Sequence, residues 1–217
     1  MQVLKEFEDL IFQRPPLRSS VKRQIRTRRI YYIDFLELDG RNALFKVGCE
    51  AGTYIRKLCF DIGEILGVGA HMQELRRTRA GPFDENSSSL VTLHDVAYYF
   101  KEWEEKKDAA ILRKFVQPME TALTLLPRIV VRDSAVDALC HGANLTAPGV
   151  LSLETGIQKG TIISIFTLKG EAIALAKAFV SSEEMQSLKH GVVAALQRVL
   201  MQRGTYPKVW KSGKENE

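Results

Sequence analysis

Between Cys49 and Gly81 the sequence reads CEAGTYIRKLCFDIGEILGVGAHMQELRRTRAG, which joins a buried strand to an arginine, a helix and a basic turn. Within it Ile55, Leu58, Cys59, Ile62, Ile65 and Leu66 recur at i, i+3, i+4, i+7, i+10 and i+11. That spacing predicts a helix over Thr53 to Leu66 with Gly67 in a C-cap position and Arg56 near its first turn. His71 to Arg79 is expected to form a further extended element carrying Leu75, Arg76 and Arg77, broken by Gly81-Pro82.

The flanking segments extend this pattern. Val3, Leu4, Phe7, Leu10 and Ile11 lie at helical spacing, predicting a short amphipathic helix that ends before Arg14-Pro15-Pro16. IYYIDFLEL and NALFKVGCEA, separated by Asp39-Gly40, predict a β-hairpin, with Arg41 and Asn42 able to lengthen its loop. Thr92 is a plausible N-cap for a helix over LVTLHDVAYYF, and the Lys- and Glu-rich stretch Lys101 to Lys107 reads as its solvated continuation or as an insertion. Leu126-Pro127 marks the expected domain boundary, after which IVVR starts a strand. Asp133 or Ser134 is expected to cap a helix that Gly142 ends, and TIISIFTL and EAIALAKAFV flank Lys169-Gly170 as a hairpin with a two-residue turn. Val192, Val193, Leu196, Val199 and Leu200 fit a helical stripe by spacing and a strand by β-branched content.

Charge narrows the function classes. The 31 Lys and Arg against 26 Asp and Glu give a formal charge of +5, but the distribution is uneven. Residues 14 to 29, RPPLRSSVKRQIRTRR, hold seven basic residues and no acidic one, a local field that attracts phosphates or simply forms a solvated face. Three cysteines without metal-like spacing indicate neither a disulfide framework nor a zinc site, and the four histidines are scattered. No apolar run approaches a membrane span and the amino terminus has no basic-then-apolar leader pattern, so the expectation is a soluble intracellular protein with no membrane partner.

Three segments together resemble the TruB family of RNA pseudouridine synthases, in its dyskerin-like H/ACA branch: QRPPLRSSVKRQIRTRRIYYID, the Cys49 to Gly81 block with its GTYIR and ELRR elements, and HGANLTAPGVLSLETGIQKGTIISIFTLKGEAIALAKA, which is similar to a PUA domain. RDSAVDALCHGA, HGVVAALQRVLM and TYPKVW carry the dyskerin flavour. The resemblance implies an α+β chain: a partial mixed-sheet pseudouridine synthase domain over residues 1–125, a PUA-type small β-barrel over 126–210 and a polar tail over 211–217. It selects strand for Val192 to Leu200. It also implies that the catalytic aspartate lies in an upstream Gly-x-x-Asp-Pro type motif that this chain begins too late to contain. Asp34, Asp39 and Asp61 do not sit in that motif, so the chain alone is expected to be inactive.

By the same resemblance Arg56 orients that aspartate, with Tyr54 and Leu75 lining the base pocket. RNA binding falls to Arg14, Lys22, Arg23, Arg26, Arg28, Arg29, Arg76 and Arg77, and in the barrel to Gly142, Ala143, Leu145, Pro148, Gly149, Val150, Lys169 and Gly170. Pseudouridylation needs an extruded nucleotide and a carboxylate but no metal or organic cofactor. The implied partners are H/ACA guide RNA, substrate RNA (rRNA, and snRNA as a further target) and the small H/ACA core proteins, in the nucleus and nucleolus for a eukaryotic source. The alternative is a noncatalytic scaffold that holds guide RNA and core proteins.

Overall fold

The computed structural model describes residues 2–15 and 22–208. Pro16, Val209, Trp210 and the polar tail at 211–217, all named above, lie outside the described residues. The chain divides between Arg76 and Arg77 into two compact units.

The first unit is a three-stranded antiparallel sheet with two helices. Its elements are α1 (Gln2–Glu6), β1 (Asp9–Gln13), β2 (Arg26–Asp39), β3 (Asn42–Cys49) and α2 (Ile55–Ile65), with strand order β1-β2-β3. The hairpin closes between Asp39 and Asn42, so the turn is the two residues Gly40-Arg41, with Gly40 at φ +56°. That is one residue later than Asp39-Gly40. The left-handed conformation falls to the glycine, and Arg41 and Asn42 add no loop. Phe7, Ile30, Ile33, Leu58 and Ile62 form the core, with Val3, Leu4, Phe45, Val47 and Ile55 packed around it. Of the α2 stripe read from the sequence, Leu58 and Ile62 enter this core and Ile55 packs against it, while Ile65 and Leu66 are exposed; Gly67, at φ +70°, follows the C-cap Leu66.

The amino-terminal expectation is corrected. The helix stops at Glu6, and Asp9 at φ +87° turns the chain into β1, which pairs with β2 from Asp9↔Ile30 to Gln13↔Arg26. Leu10 and Ile11 thus belong to a strand. A positive φ at an Asp side chain breaks the helix, and pairing along a long central strand outweighs five residues of weak periodicity.

The second unit begins with a two-residue ladder, β4 (Arg79–Ala80) with β5 (Phe83–Asp84), around Gly81-Pro82. Residues 71–78 are irregular and have no ladder partner, where an extended element was expected. Next come α3 (Leu93–Lys106) and α4 (Leu112–Phe115). Thr92 caps α3 in a capping box: its Oγ1 accepts from the Asp95 N–H at 3.2 Å, while Asp95 Oδ2 accepts from the Thr92 N–H at 3.0 Å.

A nearly closed mixed sheet then follows. Its elements are β6 (Arg128–Val131), α5 (Asp133–Cys140), β7 (Leu145–Thr146), β8 (Val150–Leu153), β9 (Ile162–Phe166), β10 (Ala172–Ala178), α6 (Ser182–Ser187) and β11 (Val192–Val199). Strand order is β7-β11-β10-β9-β6-β8, with β6–β9 parallel and the other pairs antiparallel. The Val192–Val199 segment is a strand, because Val193 and Ala194 face the core and the segment pairs on both sides. Ile129, Val131, Val136, Leu139, Ile163, Ile165, Ile173 and Val193 fill the interior. Two local expectations change. Arg132, with no side-chain cap bond, occupies the N-cap of α5 in place of Asp133 or Ser134. The β9–β10 connection closes at Thr167, whose N–H donates to Glu171 O at 2.9 Å, so three residues, Leu168 to Gly170, span the turn, with Gly170 left-handed at φ +84°.

Candidate functional site

Strand β3 delivers the chain to α2 through a tight link. Glu50 O accepts both the Thr53 N–H, at 3.2 Å, and the Thr53 hydroxyl, at 2.7 Å, and Gly52 takes φ +82°. A Cβ at Gly52 would make only ordinary contact with the Arg28 guanidinium, at 3.4 Å, so glycine serves here for its conformation. Tyr54 is the N-cap of α2 and its side chain makes no cap bond. Gln13, 1% exposed, reaches across instead: its Nε2 donates to Tyr54 O at 3.1 Å and its Oε1 accepts from the Tyr54 N–H at 2.9 Å. Arg56 is the second residue of α2, exposed, and without an ion-pair partner among the described residues.

The basic strand lies in the same unit. Arg28 reaches to 3.8 Å from Glu50, donates from Nη1 to Thr27 O at 2.8 Å, and keeps a buried Nε with no hydrogen-bond partner among the described residues. Arg29 pairs with Asp9 at 3.5 Å. Arg14, Lys22 and Arg23 are exposed and Arg26 is half-buried. Part of the positive field is thus compensated by Glu50 and Asp9, which the acid-free reading of residues 14 to 29 could not register. Tyr54 is half-buried, while Leu75 is 56% exposed on irregular chain beside exposed Arg76. An apolar groove of about 200 Å³ in this unit is lined by Val3, Leu4, Phe35, Phe45, Ile62 and Leu66 among others, and includes neither Tyr54, Arg56 nor Leu75.

In the second unit Arg77 is exposed. The segment between α5 and β8 carries Gly142, at φ +93°, with Ala143 and Pro148 exposed, and Val150, the first residue of β8, is half-buried. Leu145 points into the core at 1% exposure. Gly149 is buried, and a Cβ there would meet Ala135 Cβ at 3.2 Å and Leu145 Cδ1 at 3.4 Å. These two positions therefore offer a nucleic acid no side chain. At the β9–β10 turn the Lys169 ammonium lies 5.4 Å from the Tyr206 ring centroid. The Tyr206 hydroxyl donates to Glu171 at 2.7 Å, and together with Thr167 it holds that carboxyl below its usual range. Arg128, not singled out from the sequence, stacks on Phe166 at 4.3 Å with a buried Nε lacking a partner among the described residues. Its place directly after Leu126-Pro127, at a strand start, was the available signal.

Two family models match. The tRNA pseudouridylate synthase B C-terminal domain covers residues 56–124 and the PUA domain covers residues 127–200. A probable tRNA pseudouridine synthase B of Methanopyrus kandleri is 59% identical over 209 residues, 96% of this chain and 61% of the relative. The chain is similar to TruB-type pseudouridine synthases along nearly its whole length, with a PUA-domain match in its C-terminal part. A probable tRNA pseudouridine synthase B of Archaeoglobus fulgidus is 51% identical over 214 residues, 99% of the chain and 65% of the relative. Among solved structures, a Cbf5-Nop10-Gar1 complex matches with a TM-score of 0.89 at 52% identity, covering 96% of this chain and 63% of that one. An H/ACA ribonucleoprotein bound to a substrate RNA containing 2'-deoxyuridine matches with a TM-score of 0.85 at 49% identity, covering 96% and 62%. The chain thus spans somewhat less than two thirds of the length of these relatives. The PUA match takes in β6 to β11, the whole nearly closed sheet.

Proposed function

We propose that this chain acts within a guide-dependent RNA pseudouridine synthase of the H/ACA type, its first unit bordering the uridine cleft and its PUA domain holding guide RNA. The observation that carries this reading is the likeness, at 52% identity and a TM-score of 0.89 over 96% of the chain, to a protein solved with Nop10 and Gar1. On this reading the small core proteins and guide and substrate RNA are partners of this chain too.

The local chemistry supports it. Uridine isomerisation requires a flipped nucleotide and an ionised carboxylate, and an arginine fork beside that carboxylate keeps it charged and fixes its orientation better than a lysine. Arg56, exposed on a helix start that Gln13 and the Glu50 link hold in place, can meet a carboxylate from outside the described residues. Lys22, Arg23 and Arg26 can take phosphates, and the exposed backbone at Gly142 and Ala143 permits close approach of RNA. Tyr54 and Leu75 serve as pocket walls once substrate orders the irregular 71–78 segment.

The test is binding of an ACA-ended guide hairpin against the same hairpin with that end replaced, at several salt concentrations. Preference for the ACA end, together with a steep salt dependence, is the expected result. Equal affinity for both would leave a generic RNA-binding scaffold and overturn the guide-dependent reading.

A further inference from the structure

We propose that Gln13 is a positioning residue for the uridine cleft, holding the first turn of α2, and hence Arg56, through a two-point amide clamp on the Tyr54 backbone. The inference rests on the cleft reading above and goes beyond it by naming the group that sets the arginine in place.

Four observations converge on Gln13. It is the most buried polar side chain among the described residues of the first unit, at 1% exposure, and a buried primary amide is retained only where its donors and acceptor are matched. Both its polar atoms are spent on one residue 41 positions away, Nε2 donating to Tyr54 O and Oε1 accepting from the Tyr54 N–H. Tyr54 is the N-cap of α2 and makes no side-chain cap bond, the one that a Ser, Thr, Asp or Asn would supply at such a position. Tyr54 O also accepts the first helical bond, from the Leu58 N–H at 3.0 Å, so the atom that Gln13 grips is the one on which α2 begins.

The clamp joins the end of β1 to a residue two positions before Arg56. Strand β1 is held along β2 from Asp9 to Gln13, which makes the far end of the clamp rigid. Loss of the clamp would remove a hold on the helix start that the Glu50–Thr53 link does not duplicate, and a shift of well under a helical turn there would move the Arg56 fork off a carboxylate.

The substitution that separates positioning from bulk is Gln13→Glu. As a carboxylate it opposes Tyr54 O with a second acceptor; as a neutral acid it regains a donor and restores the paired geometry. Burial raises a carboxyl's pKa, so the acid form returns on mild acidification. The full chain is measured at about pH 8 and about pH 5, each time beside wild type, with circular dichroism confirming the fold. Amide exchange reads Tyr54 and Leu58, and the Arg56 Nε–Hε resonance reads the response to a single-stranded oligoribonucleotide containing uridine.

Wild type should show the Arg56 response at both pH values. Gln13→Glu at about pH 8 should lose about tenfold in Leu58 protection, the amount expected for one ordinary hydrogen bond, with the Tyr54 N–H still accepted by the carboxylate, and lose the Arg56 response. Both should return at about pH 5, and Gln13→Ala should show neither at either pH. Loss of protection with the Arg56 response intact overturns the positioning role while leaving the cleft reading in place. No Arg56 response in wild type overturns the cleft reading and the role of Gln13 with it.

Discussion

Replacing Gly149 by glutamate separates an RNA-facing glycine from a packing one. The glycine is buried between α5 and Leu145, with an added Cβ 3.2 Å from Ala135 Cβ and 3.4 Å from Leu145 Cδ1. Alanine asks the neighbours to yield by a few tenths of an ångström, a cost offset by the reduced freedom of the unfolded chain, so Gly149→Ala should change stability by less than about 1 kcal/mol. Glutamate must either carry an unpaired carboxylate into the barrel core or push α5 off its seat. Either outcome costs about 3 to 5 kcal/mol, the usual penalty for an uncompensated buried charge. Against a typical total of about 5 to 15 kcal/mol, that removes a large part of the stability of the second unit. Urea unfolding followed by circular dichroism, with amide exchange over β6 to β11, measures it. An unchanged midpoint and unchanged exchange, accompanied by selective loss of ACA-ended guide binding, would refute the packing argument and return Gly149 to the RNA surface.

Three further outcomes follow from the same geometry. Neutralising Arg23, Arg26, Arg28 and Arg29 together should lower the slope of log affinity against log salt by about 0.9 for each duplex phosphate that is no longer neutralised, with Arg28 and Arg29 contributing least because Glu50 and Asp9 already engage them; an unchanged slope rejects the basic strand as an RNA surface. Gly63→Ala should destabilise the first unit by about 1 to 3 kcal/mol, since its Cβ would lie 2.0 Å from the Ala70 backbone nitrogen, and a neutral effect on urea unfolding would contradict that close approach. Tyr206→Phe should raise the Glu171 pKa toward the ordinary carboxyl value in an NMR titration, as the hydroxyl is the leading cause of its depression. A depressed carboxyl stabilises the fold above its unfolded pKa and loses that contribution as pH falls through the folded value, so the variant should be less sensitive to acid; an unmoved Glu171 midpoint would contradict the assignment.

Where one local signal dominated, the fold was legible. The apolar spacing located α2, the Asp39-Gly40 step placed the β2–β3 turn to within one residue, and Thr92 is the N-cap of α3 as read. Legibility failed where tertiary pairing decided. Leu10, Ile11 and Phe12 have the apolar content of either state, and only the presence of β2 as a partner makes them a strand. Val192 to Val199 was ambiguous for the same reason, and the resemblance rather than the spacing settled it correctly. For the site, residue type located Arg56 on a helix start but could not show that Gln13, 41 residues from Tyr54, holds that start. Nor could a Gly-rich loop reveal that Gly142 lies open while Gly149 is packed against Ala135.

The most direct measurement of the central claim is tritium release from 5-tritiated uridine in a guide-paired target. The chain would be joined to the remaining segment of a relative such as that of Methanopyrus kandleri, of which it spans 61%. Release should require the guide RNA, and Arg56→Ala should reduce it by about two to four decades with guide affinity unchanged, as expected when an arginine partner of a buried carboxylate is removed at the transition state. Lysine at the same position should rescue only in part. Near-normal release by a folded Arg56→Ala protein, or release independent of the guide, would contradict the account.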